Sequence, residues 1–102
     1  MFIKLHKSYR TVIAVCDSNL IGKKFKEKQG SITKQLDITE SFYKGKEISY
    51  NEAVSIMKTE AREDSTFNIV GSESIKAGIE AGIIIKEGIK KTQNIPYALV
   101  LL

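Results

Sequence analysis

Alternating apolar and polar residues indicate strands at the start of the chain. Phe2 to His6 places Ile3 and Leu5 on one face and polar residues on the other, which predicts a half-buried strand. Thr11 to Cys16 is apolar on both faces, and the polar segment Lys7 to Arg10 joins the two strands into a predicted hairpin. Further strands are predicted at Ile32–Ile38, Phe67–Val70, Ile83–Ile85 and Gly88–Lys91. After a turn at Asn94–Pro96, Tyr97–Leu102 is apolar on both faces and is predicted to be a central strand.

Helical spacing follows a capping signal in the middle of the chain. Ser49 and Glu52 stand three residues apart, so hydroxyl and carboxylate can each accept from the other residue's backbone N–H. A helix is predicted over Tyr50–Arg62. Its inner face is formed by four apolar residues, Ala53, Val54, Met57 and Ala61.

A second helix is predicted from Gly71–Ser72 to Gly82. Its expected core face contains Ile75, Ala77 and Ile79. Nearer the N-terminus, Asp17 is expected to cap a short helical turn at Leu20–Ile21, which Gly22 ends. The basic stretch Lys23 to Gly30 has one apolar anchor, Phe25, and is assigned to no regular element.

The order β-β-(turn)-β-α-β-α-β-β predicts an α+β fold. The expected architecture is a two-layer α/β sandwich, with a mixed sheet and two main helices. A chain of 102 residues builds one core, so residues 1–102 are expected to form a single domain. No apolar run approaches the ~20 residues that span a bilayer, and the start of the chain lacks a signal peptide. These features predict a cytoplasmic protein with no membrane partner.

Charge is distributed unevenly along the chain. Residues 1–34 carry eight basic side chains against two acidic ones, a local balance of +6, whereas residues 35–75 carry eight acidic against four basic. A domain with a basic end is suited to an anion, and nucleic acid is the commonest large intracellular anion. Predicted RNA contacts are the basic side chains of the N-terminal third, namely Lys4, Lys7, Arg10, Lys23, Lys24, Lys26 and Lys28.

Little in the sequence points to catalysis. One histidine and one cysteine cannot supply the four ligands of a structural zinc site, and a single cysteine excludes an intramolecular disulfide. In the predicted hairpin, His6 and Cys16 lie ~16 Å apart, too far for a catalytic pair. Cys16 is therefore expected to be a buried apolar residue. No catalytic residue, metal or cofactor is predicted, and the chain is expected to be non-enzymatic.

The sequence is also compatible with functions other than RNA binding. Lysine-rich stretches also form ordinary solvated surfaces. A protein–protein adaptor would use the aromatic pair Phe42–Tyr43 and the acidic middle segment with Asp37, Glu40, Glu47 and Glu52. An enzyme acting on a small phosphorylated substrate would use free amides at the Gly71–Ser72 junction, although Glu73 in the first helical turn disfavours an anion there.

Several short motifs resemble an archaeal family catalogued as domain of unknown function 424. They are His6–Lys7, Val12–Asp17, Leu20–Lys23, Phe25, Asp37–Glu40, Phe42–Tyr43, Asn68–Gly71 and Ile95–Pro96. The resemblance covers nearly the whole chain. It implies an archaeal cytoplasmic protein with a two-layer α/β sandwich and a link with the translation apparatus, hence RNA, ribosomes or translation proteins as partners. It implies no particular activity.

Overall fold

A six-stranded mixed sheet is the frame of the molecule, of which the computed structural model describes residues 1–101. The strand order is β5–β1–β2–β6–β8–β7, and only the central pair β2–β6 is parallel. The strands are β1 (Phe2–His6), β2 (Val12–Cys16), β5 (Lys46–Glu47), β6 (Thr66–Val70), β7 (Lys90–Thr92) and β8 (Ile95–Val100). Together with its helices, this sheet confirms the predicted α+β class.

The N-terminal hairpin forms as its apolar pattern predicts. β1 pairs antiparallel with β2 from Phe2 opposite Cys16 to His6 opposite Val12. The parallel partner β6 then buries β2 in the centre of the sheet, which explains why β2 is apolar on both faces.

Two helices cover one face of the sheet. Helix α2 (Tyr50–Ala61) begins at the predicted capping box, in which Ser49 and Glu52 bond to each other's backbone N–H at 3.1 and 3.0 Å. The core on this side joins Ala53, Val54 and Met57 to strand residues such as Phe67 and Ile69. The predicted inner face of α2 is confirmed.

Helix α3 (Ser72–Glu80) departs from the prediction at one residue. Ile75 and Ala77 are buried, but Ile79 is 47% exposed. The helix approaches its neighbours most closely through Gly78, where an added Cβ would lie 2.3 Å from the Ile84 side chain. This close approach turns Ile79 toward the edge of the helix layer.

The segment after α3 is not the predicted strand Ile83–Ile85. Ile83 and Ile84 donate their N–H groups to the Gly78 carbonyl at 3.1 and 3.3 Å, so they close the end of the helix. A short 3₁₀ turn follows at Lys86–Gly88, and β7 begins only at Lys90.

A separate two-stranded ribbon and a short helix lie over the opposite face of the sheet. The ribbon pairs β3 (Lys24–Gln29) with β4 (Ile32–Asp37), and the helix is α1 (Glu40–Tyr43). β4 confirms the predicted strand, whereas β3 forms within the basic stretch that the sequence left unassigned. A second core cluster holds ribbon, α1 and sheet together through Ala14, Cys16, Leu36, Ile38, Tyr43 and Val70.

The C-terminal strand starts earlier than predicted. The chain turns at Gln93 and Asn94, whose φ angles of 48° and 65° suit a two-residue hairpin, and β8 begins at Ile95. Pro96 therefore lies inside β8, where its carbonyl accepts from the Gly71 N–H at 2.8 Å. β8 lies one strand from the edge, and Leu99, on the face of the sheet that carries the ribbon, is 61% exposed.

Candidate nucleic-acid interface

Three lysines form a straight row on the outer face of the ribbon. Residues two apart in a strand share a face, so Lys24, Lys26 and Lys28 point together, ~7 Å between neighbours. All three are exposed, while Phe25 on the opposite face packs into the second core cluster with Leu36. We call Lys24, Lys26 and Lys28 the lysine row.

The strand beside the lysine row contributes one acidic side chain to the same face. Asp37 lies opposite Lys24, and the next outward residue of β4, Gln35, donates its amide to both Asp37 oxygens at 3.1 and 2.9 Å. The acidic middle segment thus meets the basic stretch in space. The outer face of the ribbon still carries three positive charges against one negative.

The predicted basic set divides into two surfaces. Lys7 and Arg10 belong to the exposed turn of the β1–β2 hairpin, together with the fully exposed Tyr9. The ribbon instead contacts β7, at the other side of the sheet from β1. Four strand spacings separate β1 from β7, about 19 Å. Lys7 and Arg10 therefore do not join the lysine row.

Lys4 and His6 are engaged by helix α1. The Lys4 ammonium donates to the Ser41 carbonyl at 2.6 Å, and His6 Nε2 lies 2.8 Å from the Phe42 carbonyl oxygen. The His6 ring also stacks on Phe42 with centroids 4.5 Å apart. The Lys4 ammonium is therefore bonded to α1, whereas Lys23, just before β3, has an exposed side chain near the lysine row.

Sequence reasoning missed a basic contribution from β7. Lys90 and Lys91 are exposed, and the turn that follows them is bonded to the ribbon. Gln93 donates its backbone N–H to the Glu27 carboxylate at 3.0 Å and its side-chain amide to the Lys26 carbonyl. Both lysines are visible in the sequence, but only the tertiary packing brings β7 beside the ribbon. Because side chains alternate along a strand, Lys90, opposite Tyr97, is the one on the ribbon side of the sheet.

A groove of about 390 Å³ opens beside Lys90, on the face of the sheet that carries the ribbon and α1. Its floor is formed by β6 and β8, and its walls by β4, α1 and the start of β7. Its lining includes Leu36, Tyr43, Asn68, Lys90, Tyr97 and Leu99. The surface is mainly apolar with a few polar groups, the usual composition of a ligand site.

The Gly71–Ser72 junction is occupied by a side chain of the protein itself. The Asp17 carboxylate accepts from the N–H groups of Glu73 and Ser74 at 3.1 and 2.8 Å and from the Ser74 hydroxyl at 2.7 Å. Asp17 occupies the expected N-cap position of the turn Ser18–Leu20, where its carbonyl accepts from the Leu20 N–H at 3.0 Å, but its side chain makes no cap bond there and caps α3 instead. The amides that would hold a phosphate already hold a carboxylate.

Cys16 is buried, as the sequence predicts. Burial, with the neighbouring Asp17 carboxylate, raises the pKa of its thiol to about 12. Cys16 pairs with Phe2 in the β1–β2 hairpin, whereas His6 pairs with Val12, four residue pairs farther along. The thiol therefore stays protonated at neutral pH and is distant from the imidazole.

Comparison with known families now places the chain. The profile of the family described as protein of unknown function (DUF424) matches residues 6–102. The chain belongs to this family. The resemblance of the short motifs is thereby confirmed, and the family description itself names no activity.

A solved structure shares the fold of this DUF424 chain. It is the crystal structure of an uncharacterized conserved protein from Methanopyrus kandleri, with a TM-score of 0.81 and 22% sequence identity. The alignment covers 98% of this chain and 90% of the other. No curated protein matches the chain.

Among residues 1–101, no helix combines the length and apolar character needed to cross a membrane. The same residues contain no group of three or more histidine, cysteine, aspartate or glutamate side chains placed to hold a metal ion.

Proposed function

We propose that the protein binds RNA through the lysine row, with Lys23 and Lys90 extending the basic surface on either side. The observation that carries this proposal is the alignment of three exposed lysines on one strand. A strand repeat of ~7 Å lets successive ammonium groups contact successive phosphates of an extended single strand. Phosphate contacts of this kind position RNA without reading its sequence.

The hairpin turn supplies a second, smaller basic surface. Lys7 and Arg10 flank the exposed ring of Tyr9, a combination that can contact a phosphate and stack on a base. We assign it a secondary role because it carries two charges and lies across the sheet from the ribbon.

A binding role in translation, rather than catalysis, is the broader form of this proposal. The sequence offers two candidate reactive sites, and both have structural roles in the fold. The amides after Gly71 bind the Asp17 carboxylate, and the Cys16 thiol is buried. We propose a non-enzymatic, ribosome-associated protein whose partner is RNA.

The adaptor alternative receives less support from the geometry. Tyr43 is 7% exposed and belongs to the core, and Phe42 stacks on His6. Glu52 is committed to the capping box of α2. The aromatic pair is therefore not available as an apolar docking surface.

The test removes the lysine row and measures RNA affinity across a salt series. The triple variant K24A/K26A/K28A should bind single-stranded RNA more weakly. The slope of log K against log salt is negative, and its magnitude should decrease by about 2, since each of the three lost phosphate contacts contributes about 0.7. A matched control, K44A/K58A/K76A, removes three exposed lysines elsewhere and so has the same net charge as the ribbon variant.

Equal loss in both triple variants would contradict a localised interface and leave only general charge attraction. The variant K7A/R10A measures the hairpin surface separately and should change the slope less than the ribbon variant. Sedimentation with ribosomes should show salt-sensitive co-migration of the wild type, and its absence at all salt concentrations would contradict the ribosomal form of the proposal.

A further inference from the structure

We propose that the groove on the ribbon side of the sheet receives an unpaired nucleobase of the RNA strand. This inference rests on the proposed function, because the lysine row would bring the strand to the groove. The floor residues are fixed by strand register. Val70 pairs with Tyr97 across β6 and β8, and Tyr97 pairs with Lys90 across β8 and β7. Two residues along the same strands, on the same face, Asn68 pairs with Leu99.

Asn68 is the unusual residue of the groove. It lies in the middle of β6, a central strand whose other residues are all buried, and it is itself only half-buried. Asparagine is a poor strand former. Among residues 1–101, no side-chain hydrogen bond engages its amide, although residues such as Gln35 and Gln93 do use theirs. Its amide can therefore donate to and accept from a ligand in the groove.

Two more polar residues line the same groove. Tyr43 is buried through its ring and lines the groove, and burial raises the pKa of its phenol to about 12, so the hydroxyl stays a donor at neutral pH. Lys90 is exposed at the opposite wall. Residues that carry an amide, a hydroxyl and an ammonium thus line the groove together with Tyr97 and Leu99.

This arrangement matches the chemistry of a nucleobase. A base has apolar faces that can lie against Tyr97 and Leu99, and a polar edge with adjacent donors and acceptors that an asparagine amide can pair with. Charge complementarity identifies the occupant further, because Lys90 at the rim continues the positive surface of the ribbon toward the groove. Only an unpaired base fits, since in a duplex the edge is already bonded and the faces are stacked.

The experiment compares single-stranded RNA with a duplex of equal phosphate number. The wild type should prefer the single strand by about tenfold, the effect of one stacked and bonded base. Asn68→Val removes the amide and inserts a good strand former, and Tyr43→Phe removes only the hydroxyl; both should reduce this preference severalfold. Neither should change the salt slope, because neither removes a charge.

Controls separate the groove from the lysine row. Asn51→Ala changes an exposed asparagine on the helical side and should keep the full preference. K24A/K26A/K28A should weaken the binding of both RNAs and reduce the salt dependence of both. The ratio of the two affinities should stay the same. An unchanged ratio in Asn68→Val and Tyr43→Phe, with the effect of the triple variant intact, would overturn the groove proposal alone. Failure to bind either RNA at any salt concentration would overturn the proposed function itself.

Discussion

Asp17 shows how one side chain can join distant parts of a chain. Its carboxylate is buried and bonds to the Glu73 N–H, 56 positions away, and to two groups of Ser74. The approach is so close that Gly71, with φ of 107°, has no room for a side chain, because an added Cβ would lie 2.3 Å from Asp17. A motif that suggested a phosphate loop is thus an internal helix cap.

Replacing this cap tests the assignment at the residue scale. Asp17→Ala leaves two amides and a hydroxyl without a partner, and the free energy of unfolding should fall by about 2 kcal/mol. Asn19→Ala changes an exposed residue of the same turn and should have little effect. Urea unfolding of the three proteins provides the comparison. Equal stability of the two variants would contradict the structural role of Asp17.

At the scale of elements, the ribbon differs from the rest of the fold. β3 and β4 pair only with each other, their outer face carries lysines and polar residues, and few side chains anchor their inner face. The sequence did not reveal β3 because alternation there involves charges. Lys24 and Lys26 point outward, but the inner face holds Glu27 beside Phe25, and Glu27 is satisfied by a backbone N–H of the β7–β8 turn.

Hydrogen exchange should distinguish the ribbon from the sheet. We expect ribbon amides to exchange well before those of β2 and β6, because local opening costs less where few apolar contacts must separate. Mass spectrometry of peptides covering residues 24–37 and residues 66–70 gives the measurement. The same protection in both segments would mean that the ribbon unfolds only with the whole domain.

At the scale of the whole molecule, helices and hairpin were predictable because their signals are local. The capping box at Ser49 and the apolar pattern of β1 and β2 depend on neighbouring residues only. The candidate site was predictable in part. The charge pattern identified Lys24, Lys26 and Lys28, but their shared face depends on strand β3, which the sequence did not reveal. Lys90 and Asn68 join the site through packing between segments far apart in sequence.

Stability of the whole domain should fall at alkaline pH. Burial raises the pKa of both Cys16 and Tyr43 to about 12, from 9.0 and 10.0. Above about pH 9 the unfolded chain loses these protons while the native protein retains them, so the free energy of unfolding decreases. Each group contributes up to about 1.4 kcal/mol per pH unit while its two states differ in protonation.

Urea unfolding between pH 8 and pH 11 measures this dependence. Cys16→Ala should be less stable at pH 8 because of the lost buried sulfur, yet it should lose stability less steeply above pH 9. A slope identical to that of the wild type would show that the thiol is not the group that resists ionisation.

The parallel pairing of β2 with β6 also determines when the two halves of the sheet can join during synthesis. Residues 1–47 can form a hairpin with its short edge strand, but β2 then waits with one side unpaired and Asp17 has no helix to cap. Only when residues 66–74 have been made can the two halves join, in a single long-range step. Until then the nascent chain exposes an apolar strand edge, and the charged ribbon that follows β2 is the nearest element able to keep that edge soluble.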